Sequence, residues 1–273
     1  LYSRDYRETL DVRELEAFLK EHHDYKYATV VHGDTPSGML NDVSAICPLL
    51  KKYGIMTVVD SVSASFGEPM RISDWQIDIM CGGSQKVVSA PPGLTFVVIS
   101  DDAKKAMTER KTPIASFYAN LTTFAHYYEE KWFPYTMPIS DIYGLRAAID
   151  NIATDPDILA RHEKIAEASR KAITGAGLSL YLKSGFSSTV TVFEVPKGTT
   201  AAAILDGVKK DYNIMLAGSF DVLAGKVIRI GHMGNNADFY NVREVFAALD
   251  GTLAKLGVPL KASMEKIFCD SMK

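Results

Sequence analysis

The chain has 273 residues, 47% of them hydrophobic, and its 30 Lys and Arg against 33 Asp and Glu give a net charge of -3. That balance describes an ordinary globular chain of one or two domains and supplies no basic excess for nucleic acid. Pairs such as Lys51-Lys52, Lys104-Lys105 and Lys209-Lys210 sit on amphipathic patterns and read as solvated helix faces.

Cys47, Cys81 and Cys269 are too few and too scattered for a disulfide framework or a zinc spacing, which favours a reducing compartment. His22-His23 has no metal-ligand partners at suitable spacing. The opening residues Leu1-Tyr2-Ser3-Arg4-Asp5-Tyr6-Arg7 are charged and lack the apolar core of a secretory signal. No stretch approaches the ~18 apolar residues of a membrane helix, so a cytoplasmic location without a membrane partner is expected. The absence of an initiator Met suggests a chain that is processed or begins partway through a longer protein.

In chain order, Asp11 followed by Glu14 reads as a capping box for a short helix burying Val12, Leu15, Phe18 and Leu19. Tyr27–Val31 reads as a buried strand. Asp42 caps a helix through Leu50 that Gly54 ends, with Pro48 expected to bend it or to remove a hydrogen bond. Strands are predicted over 55–59, 77–80 and 94–99, in the alternating rhythm of a parallel sheet. The pattern changes near Ser140, which is expected to cap a helix through Ile152, and Asp155-Pro156 opens another helix to about Thr174. A strand over 188–195, a helix over 200–212, a strand over 227–230 and a helix over 238–256 complete an α+β pattern. No internal repeat is visible.

Functional groups in such sheets gather beyond the carboxyl ends of the strands. Three polar motifs fall there: His32-Gly33-Asp34-Thr35-Pro36-Ser37-Gly38, Asp60 in Val58-Val59-Asp60-Ser61-Val62, and Lys86 in Gly82-Gly83-Ser84-Gln85-Lys86. Alone, Asp60 is an ordinary helix cap and Lys86 a solvated charge on a glycine-rich turn. Set 26 residues apart after successive strands, they are the acid and the amine that a pyridoxal-phosphate enzyme needs, one for the ring nitrogen and one for the aldehyde. Arg229 interrupts the apolar run Val227-Ile228-Arg229-Ile230, where a charge requires an anionic partner, in the plainest case an internal salt bridge.

These motifs, together with Pro91-Pro92-Gly93, Tyr135-Thr136-Met137-Pro138 and Ile228-Arg229-Ile230-Gly231, resemble the class V aminotransferases of pyridoxal-phosphate fold type I, within them the alanine/serine-glyoxylate group. The resemblance implies an α/β fold: a mostly parallel sheet flanked by helices in a partial large cofactor-binding domain, residues 1–153, and a smaller α+β domain, residues 154–273. It implies pyridoxal 5'-phosphate as cofactor, Lys86 as its Schiff-base lysine and proton carrier, and Asp60 as partner of the pyridine nitrogen. Val62, two residues beyond Asp60, would point the same way and pack on the ring face. Thr35 would bond near the phenolic oxygen and Gln85 would contact the phosphate. Thr136 would reach the phosphate of a neighbouring subunit, so a homodimer with shared sites is implied. Arg229 would hold the substrate carboxylate as a bidentate fork.

The implied reaction moves an amino group between a small 2-amino acid, alanine or serine, and a 2-oxo acid, glyoxylate or pyruvate. Cysteine desulfurases usually place His immediately before the lysine, where this chain has Gln85. Phosphoserine and 2-aminoethylphosphonate aminotransferases remain alternatives, as does a non-catalytic dimerisation or binding module. Pro36 replaces a small hydroxyl residue of the family, Phe133 replaces a tyrosine, and only 31 residues precede the His-Gly motif, where a phosphate loop and a ring-stacking aromatic residue would lie.

Overall fold

The computed structural model describes residues 2–3 and 5–273. Asp11 accepts the backbone N–H groups of Arg13 and Glu14 and so starts α1 (Val12–Glu21), which buries Leu15 and Leu19. Strand β1 (Tyr27–Val31) follows, and the His-Gly motif folds back as a two-stranded hairpin, β2 (Gly33–Asp34) and β3 (Met39–Leu40). Asp42 caps α2 (Val43–Lys52), which runs through Pro48 to Lys52 because Ile46, Cys47, Leu49 and Leu50 are buried on both sides of the missing N–H. Next come β4 (Met56–Asp60), β5 (Ile79–Gly83), β6 (Thr95–Ile99) and α3 (Asp101–Thr108).

The second half contains α4 (Ile139–Ala153), α5 (Ile158–Gly175), β7 (Val190–Glu194), α6 (Ala201–Tyr212), β8 (Val227–Gly231), α7 (Phe239–Lys255) and α8 (Met264–Met272). The main sheet has the order β1-β4-β5-β6, and β7 pairs antiparallel with β8 in a separate ribbon. Phe193, Ile204, Ile228, Phe246, Leu249 and Phe268 form the centre of the core around that ribbon. Smaller clusters under α1, α2 and β4 hold the first half.

Several expectations change. The strand over 27–31 is an edge strand rather than a buried one: only β4 pairs with it, and its odd positions face out, with Tyr27 64% exposed. The sheet is parallel across β1, β4 and β5, but β6 runs antiparallel. Residues 84–94 between β5 and β6 form turns and no helix, so they cannot supply a parallel crossover. Gly82 and Gly83 belong to β5 rather than to the turn; a Cβ on Gly82 would stand 2.0 Å from the Phe96 ring. Helix α4 begins at Ile139 with Pro138 before it, and Ser140 lies inside its first turn instead of capping it. Helix α5 begins at Ile158, later than Asp155-Pro156, because Asp155 pairs with Arg161 (2.6 Å) and accepts the Asp157 N–H. The hairpin β2–β3 and helix α8 had no sequence signal that we identified.

The halves meet at defined contacts. Met39 bridges to Phe186, and the Leu40 N–H donates to Gly185 O at 2.7 Å. The buried Glu68 carboxylate accepts the Ser187 hydroxyl at 2.9 Å and the Ser188 N–H. Burial pushes that carboxyl up from its ordinary value. Among the described residues, no helix is long and apolar enough to cross a membrane.

Candidate active site

The carboxyl ends of β1, β4 and β5 lie side by side, with Val31 opposite Asp60 and Asp60 opposite Cys81. Asp60, the last residue of β4, is exposed and accepts the Val62 N–H at 3.0 Å; no ion pair compensates it among the described residues. The strand ends there, so alternation along a strand does not place Val62, which lies in a turn. The turn nevertheless carries Val62 to the neighbouring strand end. A Cβ on Gly83 would lie 3.2 Å from Val62 Cγ1 and 2.8 Å from Gln85 Oε1, so both side chains pack over that bare glycine.

Lys86 lies in the turn after β5, half-buried, and its amine has no hydrogen bond or ion pair among the described residues. It opens on a cleft of about 440 Å³ lined also by Gln85, Ser89, Gly231, Met233 and Asn235. Arg229 stands two residues before that wall, on β8. Its Nε–H donates to Gly218 O (2.5 Å) and its Nη1–H to Thr35 O (3.4 Å). No carboxylate salt bridge engages it among the described residues, which removes the internal ion pair as its explanation. Burial lowers the Arg229 pKa, against the pull of Asp34.

Thr35 is thus joined to Arg229 through its main-chain oxygen, whereas Thr136 stands apart. Thr136 is exposed before α4 with no hydrogen bond among the described residues. The residues before it form an exposed aromatic cluster. Tyr118 and Tyr135 stack at 4.5 Å, Phe124 and Phe133 pack at 5.7 Å, and Tyr128 is 80% exposed.

A carboxylate at the end of β4, an amine in the turn after β5 and a guanidinium on β8 thus each stand without an ion-pair partner among the described residues. That donor set fits pyridoxal phosphate with an amino-acid substrate: a site for a ring nitrogen, one for an aldehyde and one for a carboxylate. The sequence reading missed the wall opposite Lys86. Its signal was Gly231-His232-Met233-Gly234-Asn235-Asn236, a glycine-flanked polar run directly after the arginine strand.

Behind the site, His32 is 3% exposed, its Nδ1 3.1 Å from Ser61 Oγ, and its ring meets Trp75 edge-on. Burial lowers its pKa to about 4, and lowers that of His232 to about 3. Both values lie below the ordinary 6.5, so the folded chain binds fewer protons than the unfolded one between those limits. Their contribution is complete above pH 6.5 and is lost as pH falls, by about 1.4 kcal/mol per pH unit for each histidine. Burial lowers the pKa of His162 in the same sense, so Glu68, which acts with the opposite sign, is one group against three. Urea unfolding should show a marked loss of stability from neutral pH to about pH 5, and His32→Gln should flatten the slope. A flat profile in the parent would contradict the buried neutral state of both rings.

The folded chain superimposes on crystal structures of pyridoxal-phosphate aminotransferases of fold type I. Pyridoxamine-pyruvate aminotransferase from Mesorhizobium loti aligns with a TM-score of 0.94 and 29% identity over 99% of this chain and 71% of that one. The class-V aminotransferase family model matches residues 2–217, and the chain belongs to that family. Pyridoxamine–pyruvate transaminase of Mesorhizobium japonicum is 32% identical over 92% of this chain and 65% of its own length. Serine–glyoxylate aminotransferase of Arabidopsis thaliana is 35% identical over 79% and 55% respectively. The chain spans about two thirds or less of the curated relatives it matches.

Proposed function

We propose that this chain carries out pyridoxal-phosphate-dependent transamination between a small 2-amino acid, alanine or serine, and a 2-oxo acid, glyoxylate or pyruvate. The observation that supports this most is the unpaired trio of Asp60, Lys86 and Arg229 around the strand ends and the cleft. When bound, the cofactor supplies an electron sink for the bond broken at the substrate α-carbon. Asp60 would keep the pyridine nitrogen protonated, Lys86 would hold the cofactor through its aldehyde and move the proton at the substrate α-carbon, and Val62 would pack on the ring. Gln85 contacts the phosphate and Thr35 the phenolic side. Arg229 grips the carboxylate shared by amino and oxo acids, which places both half-reactions in one site.

Residues 1–153 form the cofactor-binding part and 154–273 the smaller part of this reading. A second copy of the chain covers the exposed aromatic segment and receives Thr136 at its phosphate, because so large an apolar patch is costly in water. A reducing cytoplasm suits the three unpaired cysteines.

The test is direct. Protein treated with pyridoxal phosphate and then borohydride should carry a reduced adduct on Lys86, and alanine or serine should pass its amino group to glyoxylate or pyruvate. Phosphoserine, 2-aminoethylphosphonate and pyridoxamine are the competing donors. Colourless protein that takes up no cofactor would leave the dimerisation or binding module instead. Arg229→Ala should raise KM for amino and oxo acid alike by about 10-fold to 150-fold, the worth of a charge-assisted hydrogen bond. Unchanged KM values would refute the carboxylate grip.

A further inference from the structure

The turn that carries Lys86 is under constraint from a part of the chain far away in sequence. Ser89 adopts a left-handed backbone, φ +60°, although it is not glycine. Its N–H donates to Lys86 O (2.9 Å), and its hydroxyl donates to Val87 O (3.2 Å) while accepting the Asn235 N–H (3.0 Å). The loop after β8 thus grips the turn one residue beyond its closest approach. At that approach, Gly234 (φ +56°) stands so near that a Cβ would lie 2.0 Å from Ser89 Oγ and 2.2 Å from Val87 O.

Gly234 is held from behind. Its N–H donates to Nε2 of His162 at 2.9 Å, and Nδ1 of the same ring faces Ile158 O at 2.6 Å. This arrangement fixes the neutral tautomer with its proton on Nδ1, because Nε2 must accept. His162 is fully buried on α5, the first long helix after the mid-chain helix α4. Five residues before Gly234, on β8 itself, lies Arg229. One backbone segment therefore joins the guanidinium to the turn of the amine.

We propose that His162 and Ser89 are positioning residues for Lys86: His162 fixes the Gly234 amide, and Ser89 locks the lysine turn onto the following residue of that loop. The proposal rests on the reading of Lys86 as the cofactor lysine. A purely structural role for the two residues predicts effects on stability alone; a positioning role predicts effects on Lys86 that are separable from stability.

Ser89→Gly separates them. Glycine relieves the left-handed strain, so thermal stability should stay close to the parent while the lock is lost. Pyridoxal phosphate affinity, read as adduct formed on Lys86 against cofactor concentration, should fall about five-fold, the worth of one ordinary hydrogen bond. Amide hydrogen exchange over residues 84–90, measured without cofactor, should quicken. Ser89→Asn, which keeps an acceptor and tolerates the backbone, should recover both. His162→Phe, which leaves the Gly234 N–H unpaired, should reproduce the affinity loss; the Ser89 variants keep the test decisive if it folds poorly. Parent-like affinity in Ser89→Gly would overturn the proposal, even if exchange quickens. A parent chain that forms no adduct on Lys86 would overturn the proposed function and this inference with it, an outcome distinct from a parent that forms the adduct and a variant that matches it.

Discussion

Replacing Lys86 by alanine is expected to leave the chain folded and to reduce amino-group transfer by at least about 10²-fold to 10⁴-fold, the range for loss of a positioned proton carrier. The fold should be indifferent because the amine makes no hydrogen bond or ion pair among the described residues, and such a side chain costs within about 0.5 kcal/mol on removal. The activity should be sensitive because no other amine shares the cleft with it. Comparing unfolding midpoints with transfer rates for parent and variant separates the two effects. A small primary amine added to the assay should restore part of the lost rate, since it supplies the missing proton carrier without the tether. A variant that still transfers amino groups at the parent rate would remove Lys86 from the mechanism.

The largest expected loss of stability lies at the opposite end of the sheet. Asp78 precedes β5, and its side chain is 2% exposed. Its carboxylate serves three groups: Oδ1 takes Lys51 Nζ at 2.7 Å and the Ser100 hydroxyl at 3.1 Å, and Oδ2 takes the Thr57 N–H at 2.9 Å. The Asp78 N–H in turn donates to Thr57 Oγ1 at 3.0 Å. Lys51 also reaches the more exposed Asp102 at 2.9 Å. Asp78→Ala leaves Lys51 with Asp102 alone and takes the acceptor from the buried Thr57 N–H and the partner from the Ser100 hydroxyl, each buried group left unpaired costing about 1–3 kcal/mol. Urea unfolding should show a lower midpoint with an unchanged slope. Transfer activity per folded molecule should persist, because Asp78 stands at the amino ends of the strands while Asp60 and Lys86 stand at the carboxyl ends. A loss below about 1 kcal/mol would mean that water satisfies these groups.

Much of this was legible in the residues because it is local. Asp11 and Asp42 cap helices where their spacing to the following apolar residues says they should, and the helices expected from positions 200 and 238 are present. Short β-branched runs became strands at 56–60, 190–194 and 227–231. The order of polar motifs after those runs pointed to Asp60, Lys86 and Arg229, since the chemistry demands those groups at strand ends. What failed depended on neighbours. The burial expected of Tyr27–Val31 required a strand on each side, and an apolar run does not say how many it has. The direction of β6 followed from a helix-free connection, and Ser140 lost its capping role to a helix that starts one residue earlier.

The sequence by itself determined the chemical inventory: one acid, one amine and one guanidinium on an α/β framework, the acid and the amine set by their place at or after a strand end and Arg229 by its charge inside an apolar strand. Only the tertiary structure decided that these three charges stand without ion-pair partners among the described residues. It also decided that His162, Gly234 and Ser89 tie the small ribbon to the lysine turn. The physical reason is that pairing, burial and close backbone approach are properties of residues far apart in the chain. Ser89 and Asn235 are separated by 146 positions, and no local pattern could announce their hydrogen bond.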